Sequence, residues 1–141
     1  MAGNKNIERL QDVGLFSACT DRELTQIARA MDEVSVVAGR DIVTQGTLGH
    51  EFYLIVDGRA TVSRDGTVVA ELGPGEYFGE MALLDGAPRN ATVSASEPTN
   101  LLVLGQREFA AVLDSSPGVA RKLLTHMAAR LREADTLAVT H

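Results

Sequence analysis

Phe78-Gly79-Glu80-Met81-Ala82-Leu83-Leu84-Asp85-Gly86-Ala87-Pro88-Arg89-Asn90-Ala91-Thr92-Val93 joins a tight glycine, a carboxylate, a short apolar turn, a loop and one arginine. The run from Glu80 to Leu84 can make one short helical turn. Its first N–H groups have no partner within the turn and point at any nearby anion. Small residues at Gly79 and Ala82 let an anion approach the backbone closely. Arg89 adds a planar fork of donors that matches two oxygens of a phosphate. Glu80 only accepts hydrogen bonds, so it suits a sugar hydroxyl and would repel a phosphate beside it. The loop through Ala87 is long enough to bring Arg89 back onto the same anion. Next to strand-like sequence, these parts form a small pocket for a ligand carrying both hydroxyls and a phosphate.

The flanking sequence supplies the walls. From Val34 to Leu104 the chain is a series of short β-rich runs broken by glycine: Val34–Val37, Ile42–Thr44, Phe52–Val56, Ala60–Ser63, Val68–Leu72, Ala91–Ala95 and Leu101–Leu104. Ala38-Gly39, Gln45-Gly46, Asp57-Gly58, Asp65-Gly66 and Gly73-Pro74-Gly75 punctuate them as turns. Asp65-Gly66 is a strong two-residue hairpin signal. Many short strands at near-regular spacing predict a closed barrel or jelly roll rather than a parallel α/β sheet. Helices flank this region. Thr20 is a candidate N-cap with Glu23 at capping-box spacing, and Leu24, Ile27, Ala28 and Met31 recur at helical intervals. Glu108, Phe109, Val112 and Leu113 mark a helix that stops before Ser116-Pro117, and another runs from about Gly118 to Thr136. On that last helix Ala120, Leu123, Met127, Leu131 and Ala134 form a narrow stripe, a seam against the barrel or against a second copy.

Composition bounds the function. A chain of 141 residues with 45% apolar content can bury a core as one domain, and 4% aromatic content without Trp implies a core of Val, Leu, Ile and Ala. The single Cys19 reads as a buried small residue near a helix start. The polar N-terminus shows no signal peptide, and no apolar run approaches the roughly 20 residues that cross a bilayer, so a soluble cytoplasmic protein is expected. A net charge of −6 argues against independent nucleic-acid binding, which rests on clustered Lys and Arg. His50, His126 and His141 are scattered, which disfavours a metal centre; His126 reads as a helix surface residue. No nucleophile–base set is arguable, so an enzyme is not expected. Gly73-Pro74-Gly75-Glu76-Tyr77-Phe78-Gly79 is not a dinucleotide loop, because its third glycine is one residue late and no parallel βαβ unit surrounds it.

In chain order, Leu15-Phe16-Ser17, Glu23-Leu24, Gln45-Gly46, Tyr53-Leu54-Ile55-Val56-Asp57-Gly58 and Gly75-Glu76-Tyr77-Phe78 lead into Gly79–Leu84 and Pro88-Arg89-x-Ala91-Thr92-Val93. This set resembles the cyclic nucleotide-binding domain family and its phosphate-binding cassette. That family includes catabolite activator proteins, regulatory subunits of cyclic-AMP-dependent protein kinase, and cyclic-nucleotide-gated channels. The resemblance covers essentially residues 13–135. It implies a mainly β fold with flanking helices: a β-roll (a jelly roll or double-stranded β-helix) over about 34–104 and C-terminal helices over about 106–136, in a single domain spanning 1–141.

By the same resemblance Glu80 holds the ribose and Arg89 the cyclic phosphate, with Gly79 and the amides of Met81, Ala82 and Ala91 beside it. Candidate base contacts are Val62, Arg130, Ala134 and Asp135. Asn90 stands where the family usually has Ala, Ser or Thr, and kinase-type domains that prefer cyclic GMP tend to have Thr there. Asn90 is thus a guanine donor, a second phosphate donor or a solvent-facing amide. The implied ligand is cyclic AMP, with cyclic GMP as the alternative, and no cofactor or metal is implied. The chain ends at His141 without a stretch for a DNA reader, and its start at Met1 favours a complete protein. Its output is therefore expected through a protein effector in trans or a homodimer built on the C-terminal helix, with no nucleic acid and no membrane. The alternative is a ligand-blind dimerisation or interaction module of the same fold.

Overall fold

The computed structural model describes residues 2–140, with side chains described for residues 6–133. The continuous apolar run of Phe52 to Ile55 shows how the fold is organised. In β3 (Glu51–Asp57), successive side chains point to opposite faces, and both faces are buried. Phe52 and Leu54, with Leu102 and Leu104 of β8 (Thr99–Gly105), face a core shared with the helices. Tyr53 and Ile55, with Leu101 and Val103, face a second core inside the roll. That second core also takes Val43, Ala60, Phe78 and Val93.

The roll consists of two four-stranded antiparallel sheets. One has the order β1-β8-β3-β6, with β1 at Asp32–Val36 and β6 at Tyr77–Phe78. The other has the order β2-β7-β4-β5, with β2 at Asp41–Val43, β7 at Thr92–Ala95, β4 at Ala60–Arg64 and β5 at Thr67–Leu72. The predicted Asp65-Gly66 hairpin forms, with φ of 54° and 81° at its two central residues, the primed-turn geometry that matches strand twist.

Helices α1 (Ala2–Gln11) and α2 (Asp21–Ala30) precede the roll; α4 (Gln106–Ser115) and α5 (Pro117–Thr140) follow it. The capping box of α2 is present: Glu23 N–H donates to Thr20 Oγ1 at 3.2 Å and Thr20 N–H donates to the Glu23 carboxylate at 2.9 Å. Cys19 is half-buried against the helical core. Burial, and then the Glu23 charge, push its thiol up to about 11.

Several boundaries differ from the sequence reading. Strand β6 is absent from it, because two rungs (Tyr53 with Phe78, Leu54 with Tyr77) leave too short a pattern to detect. The polar stretch Ala2–Gln11 is helical because Leu10 is buried and Ile7 packs against the helical core. Strand β7 begins at Thr92 rather than Ala91. Helix α5 begins at Pro117, a residue suited to a first helical turn, and continues past Thr136. The stripe on α5 divides in use. Leu123 is buried in the helical core and Met127 packs at its edge, whereas Leu131 is 66% exposed. The side chain of Ala134 lies outside the described residues.

Candidate functional site

The second sheet, the segment from Tyr77 to Ala91 and the middle of α5 enclose a cavity of about 690 Å3, within the usual range for small-molecule sites. Its sheet wall is apolar, with Val43, Val62, Ala70, Leu72 and Val93. Its floor is the segment read first in the sequence, and Met127, Arg130 and Leu131 close it from α5.

Gly79 starts the floor. Its φ of 95° lies in the left-handed region, and a Cβ there would sit 2.8 Å from Glu51 O and 2.9 Å from Arg89 Nη1. Only glycine meets both demands. Helix α3 (Glu80–Asp85) follows and ends at Gly86, with Gly86 N–H donating to Ala82 O at 3.0 Å. The chain then returns through Pro88 to Arg89. That backbone is clamped to a turn of the second sheet: Gly46 N–H donates to Arg89 O at 2.8 Å and Arg89 N–H to Thr47 O at 2.7 Å.

The Arg89 side chain is buried, 7% exposed. Nη1 donates to Gly79 O and Nη2 to Glu51 O, each at 2.9 Å, and the guanidinium lies 6.0 Å from the centroid of the Tyr53 ring. Its space is cleared by Gly49, where any Cβ would overlap the guanidinium. Among the described residues no carboxylate forms an ion pair with it. Among the described residues its hydrogen-bond partners are neutral carbonyls, a costly setting for a buried cation that an anion would relieve.

Glu80 is 3% exposed. Oε1 accepts from Arg130 Nη1 of α5 at 2.9 Å, and buried Oε2 has no hydrogen-bond partner among the described residues. A second tie joins the same helix to the floor: the Tyr77 hydroxyl and His126 Nδ1 share a hydrogen bond of 2.7 Å, with their rings stacked at 6.0 Å. His126 is therefore half-buried in a polar contact, not the surface residue expected from sequence. Burial, followed by the Glu80 charge, holds the Tyr77 phenol above its ordinary range, and Arg130 opposes this.

The structure brings Gly79, Glu80, Met81, Ala82, Arg89, Asn90, Ala91, Val62 and Arg130 to one cavity. Arg130 stands on the Glu80 carboxylate. The side chains of Ala134 and Asp135 lie outside the described residues. Asn90 is exposed at the rim, where its carbonyl accepts from Arg64 Nε at 3.1 Å. Sequence reasoning missed Gly49, the Glu51 carbonyl, Tyr53, Tyr77, His126 and Arg64. The one signal for them was a glycine, Gly49, that no turn pattern explained. Among the described residues no three His, Cys, Asp or Glu side chains are grouped to hold a metal ion, and no helix is long and apolar enough to cross a membrane.

The model of the cyclic nucleotide-binding domain matches residues 33–116, more than half of the chain, and the chain belongs to that family. A cyclic nucleotide-gated potassium channel of Rhizobium etli is 40% identical over 119 residues, covering 84% of this chain and 33% of the channel. A cyclic AMP receptor protein of Thermus thermophilus is 42% identical over 102 residues, covering 69% of this chain and 47% of that protein. The solved structure of cAMP-bound PfPKA-R superimposes with a TM-score of 0.87 at 26% identity, covering 97% of this chain and 48% of that one. The chain thus spans between a third and a half of the length of these relatives. Its fold is the β-roll of cyclic nucleotide-binding domains, a regulatory class of domain.

Proposed function

We propose that residues 1–141 act as one cyclic nucleotide receptor domain, taking cyclic AMP, which performs no chemistry itself and signals through α5 to a partner protein or a second copy. One observation carries this reading: among the described residues a buried guanidinium has no carboxylate partner and a buried carboxylate oxygen has no donor, and both line the same apolar-walled cavity. A cyclic nucleotide has the complementary parts. Its singly charged phosphate pairs with Arg89, its free 2′-hydroxyl donates to Glu80, and its base fills the apolar slot against Val62 and Met127. The backbone of Met81, Ala82 and Ala91 lies beside the phosphate position. Cyclic AMP is favoured because it appears in the names of two of the relatives.

Helix α5 is the natural reporter, since its Arg130 and His126 are tied to Glu80 and Tyr77 of the cavity. A ribose at Glu80 competes with or rearranges the Arg130 contact, so occupancy biases the position of α5. A ligand that prefers one helix position 100-fold shifts that equilibrium by only about 2.7 kcal/mol, so the two positions must be close in energy. Leu124 and Leu131, both about two-thirds exposed and one heptad apart on α5, offer a face for a partner or a second copy. That face also supports the second reading, a ligand-blind interaction module. Titration calorimetry with cyclic AMP and cyclic GMP separates the two. Heat with saturation in the micromolar range supports the receptor; none with either nucleotide at high micromolar concentration refutes it.

A further inference from the structure

The outer wall of the cavity is a hairpin: β4 and β5 contribute Val62, Val69, Ala70 and Leu72 to the lining. Strand β5 is the edge of its sheet and is exposed from Thr67 to Glu71. The ladder of β4 with β7 runs from Ala60 opposite Ala95 to Ser63 opposite Thr92, so the tip at 64–67 projects past it. Gln45, 20 residues before Asp65, grips that tip at two points. Its Oε1 accepts from Asp65 N–H and its Nε2 donates to Asp65 Oδ1, each at 2.9 Å. Gln45 N–H in turn donates to Thr92 Oγ1 of β7 at 2.9 Å. The next two residues hold the arginine of the floor, since Gly46 N–H donates to Arg89 O and Arg89 N–H donates to Thr47 O. Thr47 Oγ1 closes the turn by donating to Thr44 O at 2.6 Å. One turn at 44–47 therefore carries both the wall of the cavity and the backbone of its buried cation.

We propose that Gln45 is a positioning residue: its side-chain amide latches the β4–β5 hairpin to the turn that holds Arg89, so that the wall and the cation keep one spacing. This inference rests on the receptor reading above and adds to it a residue outside the cavity lining. Glutamine suits the latch because one amide presents a donor and an acceptor side by side. Those two groups match the carboxylate and the N–H of a single aspartate. An edge hairpin whose tip lies beyond its ladder opens locally, at a free energy set by the few bonds that hold the tip. Apparent affinity falls in proportion to the fraction of molecules whose site is in the binding-competent arrangement. Loss of the latch thus weakens binding without removing a contact to the ligand.

The test exchanges donor and acceptor across the latch in the full chain. Gln45→Glu keeps an acceptor for Asp65 N–H but sets one carboxylate against another. Adding Asp65→Asn restores a donor opposite the new carboxylate and leaves the summed charge of the pair as in the wild type. Asparagine also tolerates the left-handed φ of 54° at this position. In the ligand-free protein, amide exchange over 60–72 should accelerate about tenfold in Gln45→Glu and return to within about twofold in the double variant. Titration calorimetry with cyclic AMP and, separately, cyclic GMP should show the dissociation constant following the same course, up about five- to tenfold and then restored. Far-UV circular dichroism checks that both variants are folded. Unchanged exchange in Gln45→Glu, or a double variant no better than the single one, would overturn the latch. Faster exchange with unchanged affinity would leave Gln45 a surface hydrogen bond and overturn its positioning role. If the wild type binds neither nucleotide, the receptor reading fails and the positioning role fails with it, while exchange in the ligand-free protein still decides whether the hairpin is latched.

Discussion

Arg89→Ala tests the floor of the site most directly. The wild-type guanidinium spends one N–H of Nη1 on Gly79 O and one of Nη2 on Glu51 O, which leaves three of its five donors for a phosphate. Two charge-assisted bonds at about 1.5–3 kcal/mol each suggest a loss of about 3–6 kcal/mol, in line with the roughly 2–5 kcal/mol typical of truncating one member of a buried charged pair. The dissociation constant for cyclic nucleotide should therefore rise by about 30-fold at the least. Ligand-free stability should change far less. The substitution strips two buried carbonyls of their donor, but it also removes a buried cation that has no counter-charge among the described residues. Urea unfolding with and without nucleotide reads both effects. At 100 times its dissociation constant the ligand stabilises the wild type by about 2.7 kcal/mol; with affinity reduced a hundredfold, the same concentration yields about 0.4 kcal/mol. A folded Arg89→Ala variant that kept the full ligand-induced stabilisation would refute the phosphate assignment. Arg89→Lys should fall between the two, because one ammonium cannot span both carbonyls and still present a fork.

Gly79→Ala should destabilise the protein by about 1–3 kcal/mol, since it combines left-handed strain with a Cβ 2.8 Å from a backbone carbonyl. Gly86→Ala, also left-handed but with nothing within 4 Å of its Cβ, should cost less; equal midpoints in urea would sink the steric argument. Replacing Arg130 and His126 together with alanine removes two polar ties of α5 to the cavity, so amide exchange in the middle of that helix should accelerate in the ligand-free protein. Unchanged protection there would show that Leu123 and Val119 hold the helix by themselves. Burial, then the Glu51 charge, raises the Tyr53 phenol, and the Tyr77 phenol is raised as well, so both tyrosines of the chain should ionise above the ordinary value of about 10. A raised folded-state value means that this contribution to stability is complete below the unfolded value and is lost as pH climbs through the folded one. Ultraviolet titration of the folded protein with a midpoint at or below about 10 would contradict the burial.

Local chemistry was legible in the chain. Thr20 and Glu23 announced a helix start because a capping box lies within one turn. Asp65-Gly66 announced a hairpin because a primed turn needs two consecutive residues tolerant of positive φ. Strand β6 escaped because its two residues are held in place by Tyr53 and Leu54 across the sheet, not by any pattern of their own. The stripe on α5 was visible, but its division into buried Leu123 and exposed Leu131 was not, since helical spacing does not say where the roll ends beneath the helix.

The sequence by itself determined the class of fold and pointed to two charges of a candidate site, Glu80 and Arg89. Their residue types suit a sugar hydroxyl and a phosphate, and their spacing after the glycine turn resembles the family's cassette. Only the tertiary structure decided what those charges touch. Arg89 meets Glu51 O across 38 residues, Tyr77 meets His126 across 49, and Arg130 meets Glu80 across 50. None of these pairs shares a turn or a helical face, so each exists only because closing the roll and laying α5 over its mouth brings distant segments together. The same closure sets Arg64 of β4 against Asn90 O at the rim of the cavity.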